Sequence, residues 1–73
     1  MDEFVELYIK ELDPVVIEEI LDVVKGDREA LEPELQTRDD GHSVIMIGFR
    51  NHWEKRRFVD HLSGNFPGKI DWR

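Results

Sequence analysis

The stretch Phe4-Val5-Glu6-Leu7-Tyr8-Ile9-Lys10-Glu11-Leu12 decides the fold. Val5, Leu7 and Ile9 alternate with Glu6 and Lys10, the period-two pattern of a strand with one buried face. Phe4, Leu7, Tyr8 and Leu12 also fit helical spacing, and Glu and Lys favour a helix. A helix here would imply a small α+β domain that starts with a helical hairpin. The strand reading is preferred because the downstream elements need a first strand to pair with.

Asp13-Pro14 follows, an N-cap acceptor with proline at the first helical position. Ile17, Ile20, Leu21 and Val24 then recur at i, i+3, i+4 and i+7, with Glu18, Glu19 and Asp22 on the wet side. Gly26 is the expected stop, taking the left-handed conformation past the last turn. Residues 29–38 read as a strand with Leu31 and Leu35 on one face and Glu32, Glu34, Gln36 and Arg38 on or near the other. Pro33 cannot donate to a ladder and so places this strand at an edge. Asp40-Gly41 predicts a two-residue type I′ hairpin turn. The return strand, His42–Phe49, is apolar on both faces, as a central strand is. Asn51 with Glu54 three residues on forms a capping box that opens a helix running to about Ser63, stopped at Gly64. Phe66 to Trp72 holds a last short strand with Ile70 and Trp72 on one face.

The order β-α-β-β-α-β predicts a ferredoxin-like α+β fold, a four-stranded antiparallel sheet in spatial order 4-1-3-2 with both helices on one face. Seventy-three residues suffice for one domain, residues 1–73, with a thin core. Apolar residues are 40% and charged residues 37%, and cysteine is absent, which excludes disulfides, thiol nucleophiles and cysteine-ligated metals. No apolar run approaches the roughly 18 residues of a membrane helix. The acidic start Met1-Asp2-Glu3-Phe4 has no basic n-region, so a soluble cytoplasmic protein without membrane contact is expected. The net charge of −7 is segregated: residues 1–40 carry 14 acidic and 4 basic side chains, and residues 41–73 carry 3 acidic and 6 basic. An acidic half therefore meets a basic half, and the expected contact is Glu18, Glu19 and Asp22 against Arg56 or its neighbours across the two helices.

Leu7-Tyr8-Ile9-Lys10-Glu11-Leu12 resembles the first-strand motif of the RNA-recognition motif family, with Glu11 where asparagine is usual. The resemblance implies single-stranded RNA stacked on an open sheet face. The family's second motif falls at Gly41–Ile47, and there His42, Val44 and Ile47 stand where stacking aromatics are expected. Stacking is worth roughly 1–3 kcal/mol per base, so their loss removes the main source of affinity. Together with the acidic total, this argues against nucleic acid as a partner.

On the second helix Lys55, Phe58, Val59 and Leu62 form the core stripe, and Trp53 points the other way with Arg57 and His61 on successive turns. Trp53 beside Arg57 suits a cation–π pair and a binding hot spot, or else Trp53 folds back as a lid on the core. Asp39, Asp40 and His42 fit turn geometry, and His52 and His61 are too far apart to share a metal. Ser43 and Ser63 have no oxyanion loop, and Gly64–Gly68 lacks the lysine of a phosphate loop. No catalytic residue, metal site or cofactor is assigned.

The expected function is that of a small, acidic, non-enzymatic interaction domain (a regulator, inhibitor or accessory subunit) binding a protein partner or itself. The expected binding residues are Phe4, Tyr8 and Met46 on the open sheet face and Trp53, Arg57 and His61 on the second helix. Phe4 and Tyr8 would share the open face with either Val44 and Met46 or Ile45 and Ile47. Two alternatives from other classes are a single-stranded nucleic-acid binder using Tyr8 and the Arg50–Arg57 cluster, and a dimeric domain that senses a small molecule.

Overall fold

In a computed structural model that describes residues 3–73, the alternation of residues 3–9 forms strand β1 (Glu3–Ile9). Met1 and Asp2, half of the acidic start, lie outside the described residues. After β1 come α1 (Pro14–Gly26), β2 (Leu31–Thr37), β3 (Ser43–Phe49), α2 (His52–Asn65) and β4 (Ile70–Trp72). The strands form one antiparallel sheet in the order β2-β3-β1-β4, as the sequence predicts. Val5, Leu7 and Ile9 are buried on one face and pair with Ile47, Ile45 and Ser43. Both helices pack on that face: Ile20 and Val24 of α1 and Phe58 and Leu62 of α2 join the same cluster, which Phe49 closes. The architecture is the ferredoxin-like α+β fold.

Local chemistry starts both helices. The Asp13 carboxylate accepts the Val15 N–H at 3.0 Å with Pro14 in the first turn, and Asn51 Oδ1 accepts the Glu54 N–H at 2.9 Å. Their ends differ from expectation. Gly26 stays helical, and the chain leaves through Asp27 at φ −84°, whose carboxylate accepts the Glu29 N–H at 2.8 Å. Gly64 is likewise helical, so α2 runs on to Asn65. The positive-φ glycine after α2 is Gly68, at φ 74°. It follows Pro67, and the Lys69 N–H reaches the Phe66 carbonyl at 3.2 Å, the pattern of a type II turn that feeds the chain into β4. Ile70 and Trp72 pair with Ile9 and Leu7 on the helix-covered face. Trp72 meets Phe58 edge-on at 6.1 Å, and its Nε1–H donates to Ser63 Oγ at 2.9 Å, clipping β4 to α2.

The β2–β3 connection is one residue longer than a type I′ turn. The Gly41 N–H donates to the Arg38 carbonyl at 2.9 Å and the Arg38 N–H to the His42 carbonyl at 2.8 Å. Gly41 has φ 88° while Asp40 does not have positive φ. The loop Asp39-Asp40-Gly41 is thus a three-residue turn with glycine in the left-handed position. Burial demands it. This register pairs Leu35 with Ile45 and Gln36 with Val44. A two-residue turn would slip the pairing by one and set Gln36 and Glu34 beside Ile45 and Ile47, on the helix-covered face.

Leu31 and Leu35 do not share a face as expected. Leu31 pairs with Gly48 and Glu34 with Met46, so β2 holds one residue more than β3 in between, a β-bulge at Glu32-Pro33. Glu32 takes φ 47°. The bulge carries Leu31 to the open face and leaves Leu35 on the helix side of this edge strand, where it is still partly exposed.

The opposite-charge contact between the helices is also corrected. Among the described residues, Arg56 pairs with Asp60 of its own helix at 4.0 Å, Arg57 with Glu29 at 3.0 Å, and Lys55 with Glu3 at 3.1 Å. The carboxylates of α1 point to solvent, and the cations of α2 find partners before β2, at the start of β1 and within α2 itself.

Candidate functional site

The sheet face opposite the helices carries Phe4, Glu6 and Tyr8 from β1, with Val44, Met46 and Gly48 opposite them on β3. This settles the two options for β3: Val44 and Met46 face outward, and Ile45 and Ile47 face the helices. The face divides into two parts of different chemistry.

One part is a polar network around Tyr8. The Tyr8 ring stacks on His42 at 5.2 Å, and the Arg73 guanidinium lies 4.3 Å from its centroid. These neighbours come from the residue before β3 and from the chain beyond β4, on opposite flanks of β1. The Tyr8 hydroxyl donates to Asp40 at 3.3 Å, and Arg38 pairs with Glu6 across the face. Val44, in the same cross-strand row as Tyr8, is fully buried although it faces away from the helices. Asp40 also accepts the His42 backbone N–H at 2.9 Å, and this bond chiefly holds its carboxyl below the usual range. Burial of its ring, with the Asp40 charge second, pushes the Tyr8 hydroxyl pKa upward. His42 Nδ1 lies 3.2 Å from Asp40 Oδ1 but out of hydrogen-bond alignment, and is buried without a partner. Tyr8 is therefore half-buried and held on two sides, and its hydroxyl has a partner.

The other part is a groove. Phe4, Gly48 and Leu31 lie side by side on β1, β3 and β2, and the missing side chain at Gly48 leaves a trough between the two flanking residues. Met46 and Glu34 form the next row, and Glu32 joins from the bulge. The trough holds about 270 Å³. Phe4 is 58% exposed at its wall. Glu32 and Glu34 make no ion pair among the described residues, unlike Glu6 in the neighbouring network, which pairs with Arg38.

The second expected surface lies on the far side. Trp53 is 76% exposed, so it is not a lid on the core. Its ring meets His52 edge-on at 5.9 Å rather than Arg57, whose guanidinium is drawn to Glu29. His61 bonds Asn65 one turn on, at 3.1 Å. Trp53, Arg57 and His61 thus share a helix face without forming a joint contact. Phe4 and Met46 come together in the groove, with Tyr8 beside it.

Leu31, Glu32 and Glu34 were not legible as site residues. The available signal was Pro33, which marks a bulge as readily as an edge. No group of three or more His, Asp or Glu side chains able to hold a metal occurs among the described residues, and no described helix is long and apolar enough to cross a membrane. No protein-family model matches the chain, nor does any curated protein or solved structure.

Proposed function

We propose that this acidic chain is a non-enzymatic protein-interaction domain that binds a protein surface through the Phe4–Leu31–Met46 groove of its open sheet face. One observation carries the reading: a strained bulge in β2 turns Leu31 away from the helices and onto the open face, where it completes an exposed apolar trough. Bulges commonly re-aim a side chain beside a working site. At about 270 Å³ the trough is smaller than the roughly 300–1,000 Å³ of typical small-molecule pockets, and suits one large apolar side chain of a partner. The carboxylates of Glu32 and Glu34 favour a partner with basic residues around that anchor. The neighbouring network offers little to a stacked base, because the Tyr8 ring already has His42 and Arg73 beside it.

The test is parallel affinity capture with the wild-type chain, Phe4→Ala, Met46→Asp and Trp53→Ala, together with light scattering of each free protein. A protein held by the wild-type and Trp53→Ala baits, whose grooves are intact, and lost from both groove variants at unchanged fold, supports the reading. Retention by both groove variants refutes it.

A further inference from the structure

Resting on the groove reading above, we infer that the occupant of the groove is a second copy of this chain, docked head to tail through Trp53. Trp53 has the chemistry the groove asks for: a large aromatic ring, 76% exposed, with Arg50 and Arg56 near it on the chain. Arg50 makes no ion pair among the described residues, and Arg56 reaches only Asp60, at 4.0 Å between two exposed side chains. Glu32 and Glu34, on the receiving side, are likewise unpaired among the described residues. Tryptophan and arginine are the residues most enriched at binding hot spots, and an indole buries roughly 150–250 Å².

Geometry dictates how two copies meet. Helix α2 covers one face of the sheet and the groove opens on the other, so a chain cannot fill its own groove. Docking through two different surfaces is heterologous, and successive copies stack in one direction. The symmetric alternatives are weaker. Two open faces placed together would bring the Glu32 and Glu34 carboxylates of both copies into one contact, a like-charge crowding that costs affinity. Edge-to-edge pairing is blunted at β2 by the bulge and Pro33 and limited at β4 by its three residues. The net charge of −7 opposes any self-association. With a molecule 31 × 24 × 19 Å across and a Debye length of about 8 Å at physiological salt, most of that repulsion is screened while the contact pairs are not.

The experiment is sedimentation of three proteins: wild type, Trp53→Ala (groove intact) and Glu34→Lys (Trp53 intact), each checked for fold by circular dichroism. Wild type should gain mass with concentration, and each variant alone should associate roughly thirtyfold more weakly or stay monomeric. Trp53→Ala mixed with Glu34→Lys should give a one-to-one pair that cannot grow, since the pair's one intact groove is filled by its one Trp53. A wild-type chain that stays monomeric overturns the inference, as does a mixture that stays monomeric. Association of Trp53→Ala alone at wild-type strength also overturns it. The groove reading survives those results if groove variants still lose a captured foreign protein.

Discussion

Replacing Glu32 by glycine should stabilise the protein, although glycine in a strand ordinarily weakens it. Glu32 sits at φ 47°, in the left-handed region, between Leu31 and Pro33. A residue with a β-carbon there costs about 1–2 kcal/mol. Glycine removes that cost but adds roughly 0.5–1 kcal/mol of backbone freedom in the unfolded chain. The Glu32 side chain is exposed and makes no ion pair among the described residues, so little contact is lost with it. The net expectation is a gain of about 0.5–1 kcal/mol, and each kcal/mol moves Tm by roughly 4–8 °C in a domain of this size. Glu32→Val works in the opposite sense, because a β-branched side chain is least tolerated at positive φ, and should cost about 1 kcal/mol or more. Urea denaturation followed by far-ultraviolet circular dichroism measures both, and the three-bond coupling of the Glu32 amide proton reports φ directly. If Glu32→Gly lowers the midpoint while Glu32→Val leaves it unchanged, the chain is not left-handed at Glu32. The bulge would then be absent, Leu31 would return to the helix side and the groove would lose a wall.

The glycines supply a contrast of sign. Gly41→Ala should destabilise by about 1 kcal/mol because of φ 88° alone, whereas Gly64→Ala, inside α2 with open space around it, should stabilise by about 0.5–1 kcal/mol in the same denaturation assay. The two tryptophans separate likewise: Trp53→Ala should leave stability within about 0.5 kcal/mol, while Trp72→Ala loses its contact with Phe58 and its bond to Ser63 and should cost about 2 kcal/mol by thermal melting. Acid should weaken the fold. The Lys55 hydrogen bond and charge hold the Glu3 carboxyl low, and the His42 backbone N–H holds Asp40 low. Their contribution is present above the ordinary carboxylate range near pH ~4 and is lost as pH falls through the lower folded values. Glu3→Gln combined with Asp40→Asn should therefore flatten the acid limb of a stability–pH profile, and an unchanged limb would show that neither pairing matters.

What the sequence by itself determined is what depends on neighbours along the chain. The alternation of residues 5–9 offers a strand, and the elements downstream, which need a first strand to pair with, decide it against the helical spacing of Phe4, Leu7, Tyr8 and Leu12. Asp13-Pro14 and Asn51 with Glu54 start helices because the acceptors sit two or three residues from the amide groups they satisfy. The apolar stripes of both helices and Pro33 at an edge then leave few ways to cover one sheet face, and the ferredoxin-like order follows. The tertiary structure decided whatever turns on partners distant in the chain. Asp40-Gly41 fits a two-residue or a three-residue turn equally well, and the choice fell to Ile45 and Ile47, which must face the helices while Glu34 and Gln36 face water. Gly26 and Gly64 look like stops, yet the chain turns later, at Asp27, whose carboxylate accepts the Glu29 N–H, and at the Pro67-Gly68 turn that leads into β4. Arg57 and Lys55 selected Glu29 and Glu3 over the carboxylates of α1, since ion pairing follows distance across the fold rather than the charge of a segment. The groove is the extreme case. It needs Phe4, Gly48 and Leu31 in one row on three strands, and only the bulge, a mismatch between two paired strands, puts Leu31 there.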